Sequence, residues 1–133
     1  MEIYTSNFAK MERLKKAGIV PVSIARYAPK GVSCFSVIEL APRAEMLKMP
    51  EAQYLQEYEK ILNNLNPSRI LNRIQTYAGS NNVALLCYEK SEAFCHRHLV
   101  AKWLNENLSL NVTEFEFQPK REIPAMGDLF DDK

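Results

Sequence analysis

Val83-Ala84-Leu85-Leu86-Cys87 is an unbroken apolar run, and the turn-forming Ser80-Asn81-Asn82 precedes it. A strand wetted on one side alternates apolar and polar residues. A short run without alternation reads as a strand buried on both faces. Such a strand needs a covering layer on each side, which points to an α/β architecture with a mostly parallel sheet.

The flanking segments agree. Ile3-Tyr4-Thr5 predicts a short opening strand, and Ser6 or Asn7 is placed to cap a helix carrying Phe8, Met11 and Leu14 on one stripe, closed by Gly18. Ile19 to Ala25 is rich in β-branched residues and predicts a second buried strand despite Pro21. Cys34 to Leu40 is expected to be a short strand or extended segment, and Pro42 to Lys48 to form one or two helical turns. Pro50 starts a helix bearing Tyr54, Leu55, Tyr58, Ile61, Leu62 and Leu65. Asn66-Pro67 starts another, with Ile70, Leu71, Ile74 and Tyr77, stopped by Gly79. After the apolar run, Ser91 is the expected cap of a helix with the stripe Cys95, Leu99, Val100, Trp103 and Leu104. Thr113, Phe115 and Phe117 alternate with Glu114 and Glu116, predicting an edge strand with its aromatic face inward. The expected fold is a single three-layer, Rossmann-like α/β domain over residues 1–117, followed by an extended acidic tail over 118–133.

The chain has 133 residues, enough for one substantial core. Seventeen basic residues nearly cancel sixteen acidic ones, so no overall field holds DNA or an anionic membrane. No apolar run reaches the roughly 18 residues of a membrane span, and the opening residues lack a signal layout. Three cysteines without repeated spacing argue against a disulfide framework and suit a reducing cytoplasm.

Chemistry-bearing residues gather where the apolar run ends. Cys87 and Glu89 leave the strand, and Cys95, His96 and Arg97 follow within ten residues. In open α/β sheets, ligands bind at the carboxyl ends of strands, and the free amides of a following helix N-terminus favour an anion. The functional reading makes Cys87 a nucleophile, His96 a base or proton shuttle, Glu89 an orienter and Arg97 an anion clamp. Against it stands a bland reading in which Cys87 and Cys95 are packed as small hydrophobes, Glu89 and Arg97 form a structural pair, and His96 meets a strand-end carbonyl. A phosphatase loop is disfavoured, because nine residues separate Cys87 from Arg97 and no glycine lies among them. A metal is not expected: the spacing of Cys87, Cys95, His96 and His98 fits no compact knuckle.

At these residues the chain resembles a known family. Leu85-Leu86-Cys87-Tyr88-Glu89-Lys90, then Cys95-His96-Arg97 and Trp103-Leu104, resemble the signature of the domain of unknown function 488 (DUF488) family, the YeaO-type proteins. Ile3-Tyr4-Thr5-Ser6, Ile24-Ala25-Arg26, Leu40-Ala41-Pro42 and Tyr54 to Tyr58 fit the same pattern. The resemblance implies a compact Rossmann-like domain and a shared site containing Cys87, Glu89, Cys95, His96 and Arg97, with Arg26 and Tyr58 as outer members. It supplies no activity and no cofactor.

Thr5, Ser6 and Arg26 follow strand ends and are expected on the same rim as Cys87 if the strands run parallel. The expected partner is a small anion or phosphate-bearing metabolite. The rival reading is a non-catalytic nucleic-acid-associated module that uses Lys10, Arg13, Lys15 and Lys16. Its tail, Met126-Gly127-Asp128-Leu129-Phe130, is similar to the acidic-Leu-Phe peptides that dock on the bacterial sliding clamp.

Overall fold

The computed structural model describes residues 1–88 and 95–116. Five strands, β1 (Ile3–Asn7), β2 (Val20–Ser23), β3 (Phe35–Ser36), β4 (Val83–Cys87) and β5 (Thr113–Glu114), build one sheet in the order β3-β2-β4-β1-β5. Every pairing is parallel. Helix α1 (Met11–Lys16) covers one face, and α2 (Glu51–Asn63), α3 (Pro67–Ala78) and α4 (His96–Leu108) cover the other. This is the three-layer, Rossmann-like α/β arrangement that the buried run required.

The alternation of side chains along β4 divides the core. Val83 and Leu85 join Ile3, Val22, Tyr58, Ile74 and Trp103 under α2–α4, whereas Ala84 and Leu86 join Met11, Leu14 and Ile19 under α1. All five residues of β4 are buried. Pro21 is tolerated for a geometric reason. The amides of Val20 and Ile24 donate toward β4, to Asn82 and Leu86. Pro21 therefore turns its nitrogen toward β3, whose pairing begins only opposite Val22. α3 starts as its sequence dictates: Asn66 Oδ1 accepts from the amides of Ser68 and Arg69, Pro67 occupies the first turn, and Gly79 ends the helix at φ +66°.

Three boundaries differ from expectation. Ser6 and Asn7 do not cap a helix. They stay extended in β1, paired with Leu86 and Cys87, and a 3-10 turn (Phe8–Lys10) separates them from α1. The helix expected from Ser91 begins at His96 with Cys95 as its N-cap, and residues 89–94 lie outside the described ones. The last strand, expected to bury only its aromatic face, is covered on both. Glu114 turns inward, its side chain only 7% exposed, while Phe115 packs under α1. Both faces of this sheet are covered, so a strand here has no solvent side to reserve for its acid.

α2 is fixed to the loop after β3 by one buried polar contact. Tyr58 is fully buried, and its hydroxyl donates to the Leu40 carbonyl. Replacing Tyr58 by Phe leaves that carbonyl without its donor. Urea unfolding of Tyr58→Phe is expected to show a loss of about 1–3 kcal/mol with an unchanged m-value.

Candidate functional site

A cavity of about 290 Å³ opens beyond the carboxyl ends of β2 and β4. Ala25, Arg26 and Tyr27 line it from the segment after β2, Cys87 and Tyr88 from the end of β4, and Cys95 and His96 from the start of α4. Tyr54 and Glu51 of α2 complete the wall, and Tyr27 and Tyr88 are largely exposed at it. The parallel register brings these residues together, because every strand ends on the same rim.

At its floor, the Sγ atoms of Cys87 and Cys95 are joined as a disulfide across eight residues of chain. The expectation of unlinked cysteines is corrected here: spacing along the chain says nothing about a loop that returns to the strand it left. The sulfurs and a ring nitrogen of His96 lie within 4.8 Å of one another, so three atoms of metal-ligand type converge where sequence spacing had argued against it. His98 is outside that group.

His96 is buried between two partners. Its Nε2 lies 2.7 Å from the Ile24 carbonyl, an acceptor, so the ring proton belongs on Nε2. That leaves the lone pair on Nδ1, 3.7 Å from Cys95 Sγ. Burial lowers the His96 pKa to about 4; the Ile24 hydrogen bond resists the shift, and the positive charges of Arg97 and His98 add to it. The Tyr58 ring packs edge-on against the imidazole, with centroids 5.5 Å apart. Tyr58 thus sits behind His96, and Tyr54 takes the place on the cavity wall.

Arg97 also sits behind the cavity. Its side chain is fully buried and makes a bidentate pair with Glu114, Nε to Oε1 and Nη2 to Oε2, both 3.1 Å. Its Nη1 donates to Cys87 Sγ at 3.0 Å. Thr5 donates its hydroxyl to Glu114 Oε1 at 2.6 Å. The expected anion clamp is therefore turned toward the sulfur, and Thr5 holds the acid that holds Arg97. Arg26 reaches the cavity instead. Its Nε donates to the Pro42 carbonyl at 2.9 Å, and its charge also acts on Glu45.

Ser6 is paired in register with Leu86, and its buried hydroxyl has no hydrogen-bond partner among the described residues. Asn7, which sequence reasoning treated only as a cap, stands in register beside Cys87; it is 5% exposed and its Oδ1 has no partner among the described residues. Glu114 was the other residue missed. Its signal was a carboxylate within reach of a Thr-bearing first strand, masked by an aromatic alternation of the opposite phase. Glu89 and the tail with Leu129 and Phe130 lie outside the described residues. Of the first-helix cations, Arg13 pairs with Glu116 and Lys10 donates to the Phe115 carbonyl.

Residues 3–108 match the family model DUF488-N3a, described as the active DUF488-N3 subclade. The chain belongs to the DUF488 family. No curated protein and no solved structure matches it. The matched span covers β1 to α4 of this DUF488 domain and contains Cys87, Cys95, His96 and Arg97, while Glu114, the carboxylate that fixes Arg97, lies beyond it. Among the described residues, no helix is long and apolar enough to cross a membrane.

The depressed His96 pKa links stability to pH. Between about 4 and the unfolded value of 6.5, the unfolded chain binds a proton that the folded domain does not. Stability therefore falls as pH drops through that window, by up to about 3 kcal/mol from this group. Denaturation at pH 7.0 and 4.5 is expected to show the loss in the wild type and a smaller loss in His96→Asn. Removing Arg97 strands a buried carboxylate. Arg97→Met is expected to cost about 3–5 kcal/mol in chemical denaturation at pH 7.

Proposed function

We propose that the cavity binds a small anionic ligand, such as a phosphate-bearing metabolite, and that the chemistry done there depends on the Cys87 thiol. The observation that carries this reading is the hydrogen bond from the buried Arg97 guanidinium to Cys87 Sγ at a sulfur that also lines the cavity. A guanidinium beside a reduced cysteine favours its thiolate, which is the nucleophilic form. Glu114 fixes that cation with two hydrogen bonds, so it serves the sulfur through a held geometry. The description of the matching subclade as active agrees with a working site.

Roles follow from position. Cys87 attacks. The Nδ1 lone pair of His96 accepts a proton near the sulfurs. Arg26 is the cation on the wall and meets the ligand's negative charge, with Glu51 nearby favouring a ligand that also offers a donor. The aromatic and apolar wall of Tyr27, Tyr54 and Met49 suits a ligand with an apolar body. Arg97, Thr5 and Glu114 act on the thiol as positioning residues.

The domain carries its own reference thiol. Cys34 is half-buried and free, and desolvation pushes its pKa up despite the Ser23 backbone bond and the Lys15 charge. In the reduced protein at pH 7, iodoacetamide is expected to label Cys87 at least ~10-fold faster than Cys34. Arg97→Lys should narrow that gap, and millimolar inorganic phosphate should protect Cys87 in the wild type and less so in Arg26→Ala. Labelling of Cys87 no faster than Cys34 would remove the thiol-dependent reading.

A further inference from the structure

We infer that Cys95 is a resolving thiol for Cys87, so that the site runs a dithiol–disulfide cycle on low-molecular-weight disulfides. This rests on the proposed role of Cys87 as the reactive thiol. It adds a second reacting residue and a substrate class.

Three observations converge. The two sulfurs are already bonded to each other, and both residues, though almost fully buried, border the same cavity. Their supports differ: Cys87 Sγ accepts from the Arg97 guanidinium, whereas Cys95 Sγ faces the unprotonated Nδ1 of His96. One thiol is held ready as an anion, and the other has a base beside it. A nucleophile and its resolving partner need that division of labour.

The cycle balances as follows. The Cys87 thiolate attacks one sulfur of a disulfide RSSR, forming a Cys87–SR mixed disulfide and releasing RS⁻, which takes a proton from solvent. Cys95 gives its proton to His96 Nδ1, and its thiolate attacks Cys87 Sγ. The Cys87–SR bond breaks, the Cys87–Cys95 bond forms, and the second RS⁻ leaves with the proton from His96. One disulfide is reduced to two thiols while the protein dithiol is oxidised, and an external dithiol reductant returns it.

The test uses the reduced full chain, with oxidised glutathione as the probe and intact-mass and peptide mapping as the readout. The wild type should end two hydrogens lighter, with Cys87 and Cys95 linked and no glutathione retained. Cys95→Ser should keep one glutathione on Cys87, and Cys87→Ser should take up none at Cys95 on the same timescale. His96→Asn should accumulate the mixed disulfide at pH 7, closing about 100-fold more slowly. Closure should recover at pH 9, where Cys95 ionises without help; a merely structural histidine would give no such rescue. Glutathione that persists on Cys87 in the wild type overturns the inference, and so does one metal ion per chain whose removal is needed to free both thiols. The two readings fail separately. If Cys87 in Cys95→Ser still alkylates faster than Cys34 but the wild type does not close, only the cycle falls. If Cys87 is no faster than Cys34, both fall.

Discussion

The buried Arg97–Glu114 pair holds the working end of this domain together. A fully buried guanidinium is expensive, since desolvation costs several kcal/mol per ion unless geometry restores the lost hydrogen bonds. Here two parallel bonds to one carboxylate do so, and Thr5 takes a further contact on the same acid. The remaining guanidinium nitrogen Nη1 reaches Cys87. Four elements meet at this cation: α4 supplies it, β5 neutralises it, β1 steadies the acid, and β4 presents the sulfur. The sheet order makes the meeting unavoidable, because β1 lies between β4 and β5.

The layout follows from the parallel sheet. All strands deliver their carboxyl ends to one rim, so a sulfur leaving β4, a cation following β2 and an imidazole opening α4 share a cavity without any dedicated scaffold. The buried side of the rim is polar and anchored by the Arg97–Glu114 pair, while the cavity side carries aromatic rings and a cation. Stability and chemistry therefore draw on neighbouring but separate groups: Arg97, Glu114 and Tyr58 behind the wall, and Arg26, Tyr54 and the sulfurs on it.

Much of this was readable from the chain. The unbroken apolar run named the central strand and implied cover on both sides, and Asn66-Pro67 and Gly79 marked one helix at both ends. Those signals are local: each depends on residues a few positions apart. What the chain hid was pairing through space. Whether Glu114 faces α4 or solvent depends on one residue of register against β1, and a shift of one turns every side chain over. The bond between Cys87 and Cys95, and the turning of Arg97 toward a sulfur rather than a ligand, likewise depend on where a helix docks. The functional reading expected Cys87, His96, Arg26 and Arg97 on one rim; the first three line the cavity there, whereas Arg97 turns away behind it, because charge alone does not say which way a side chain points.

The two outer strands, β3 and β5, are each two residues long. Exposed strand edges present unpaired amides and carbonyls on which another chain's strand can grow. Margins this short offer an incoming strand almost no template, so the long, apolar, aggregation-prone segment of this fold, β4, is reached only by stripping away its neighbours on both sides. The sheet guards its most adhesive sequence by placing it furthest from either border.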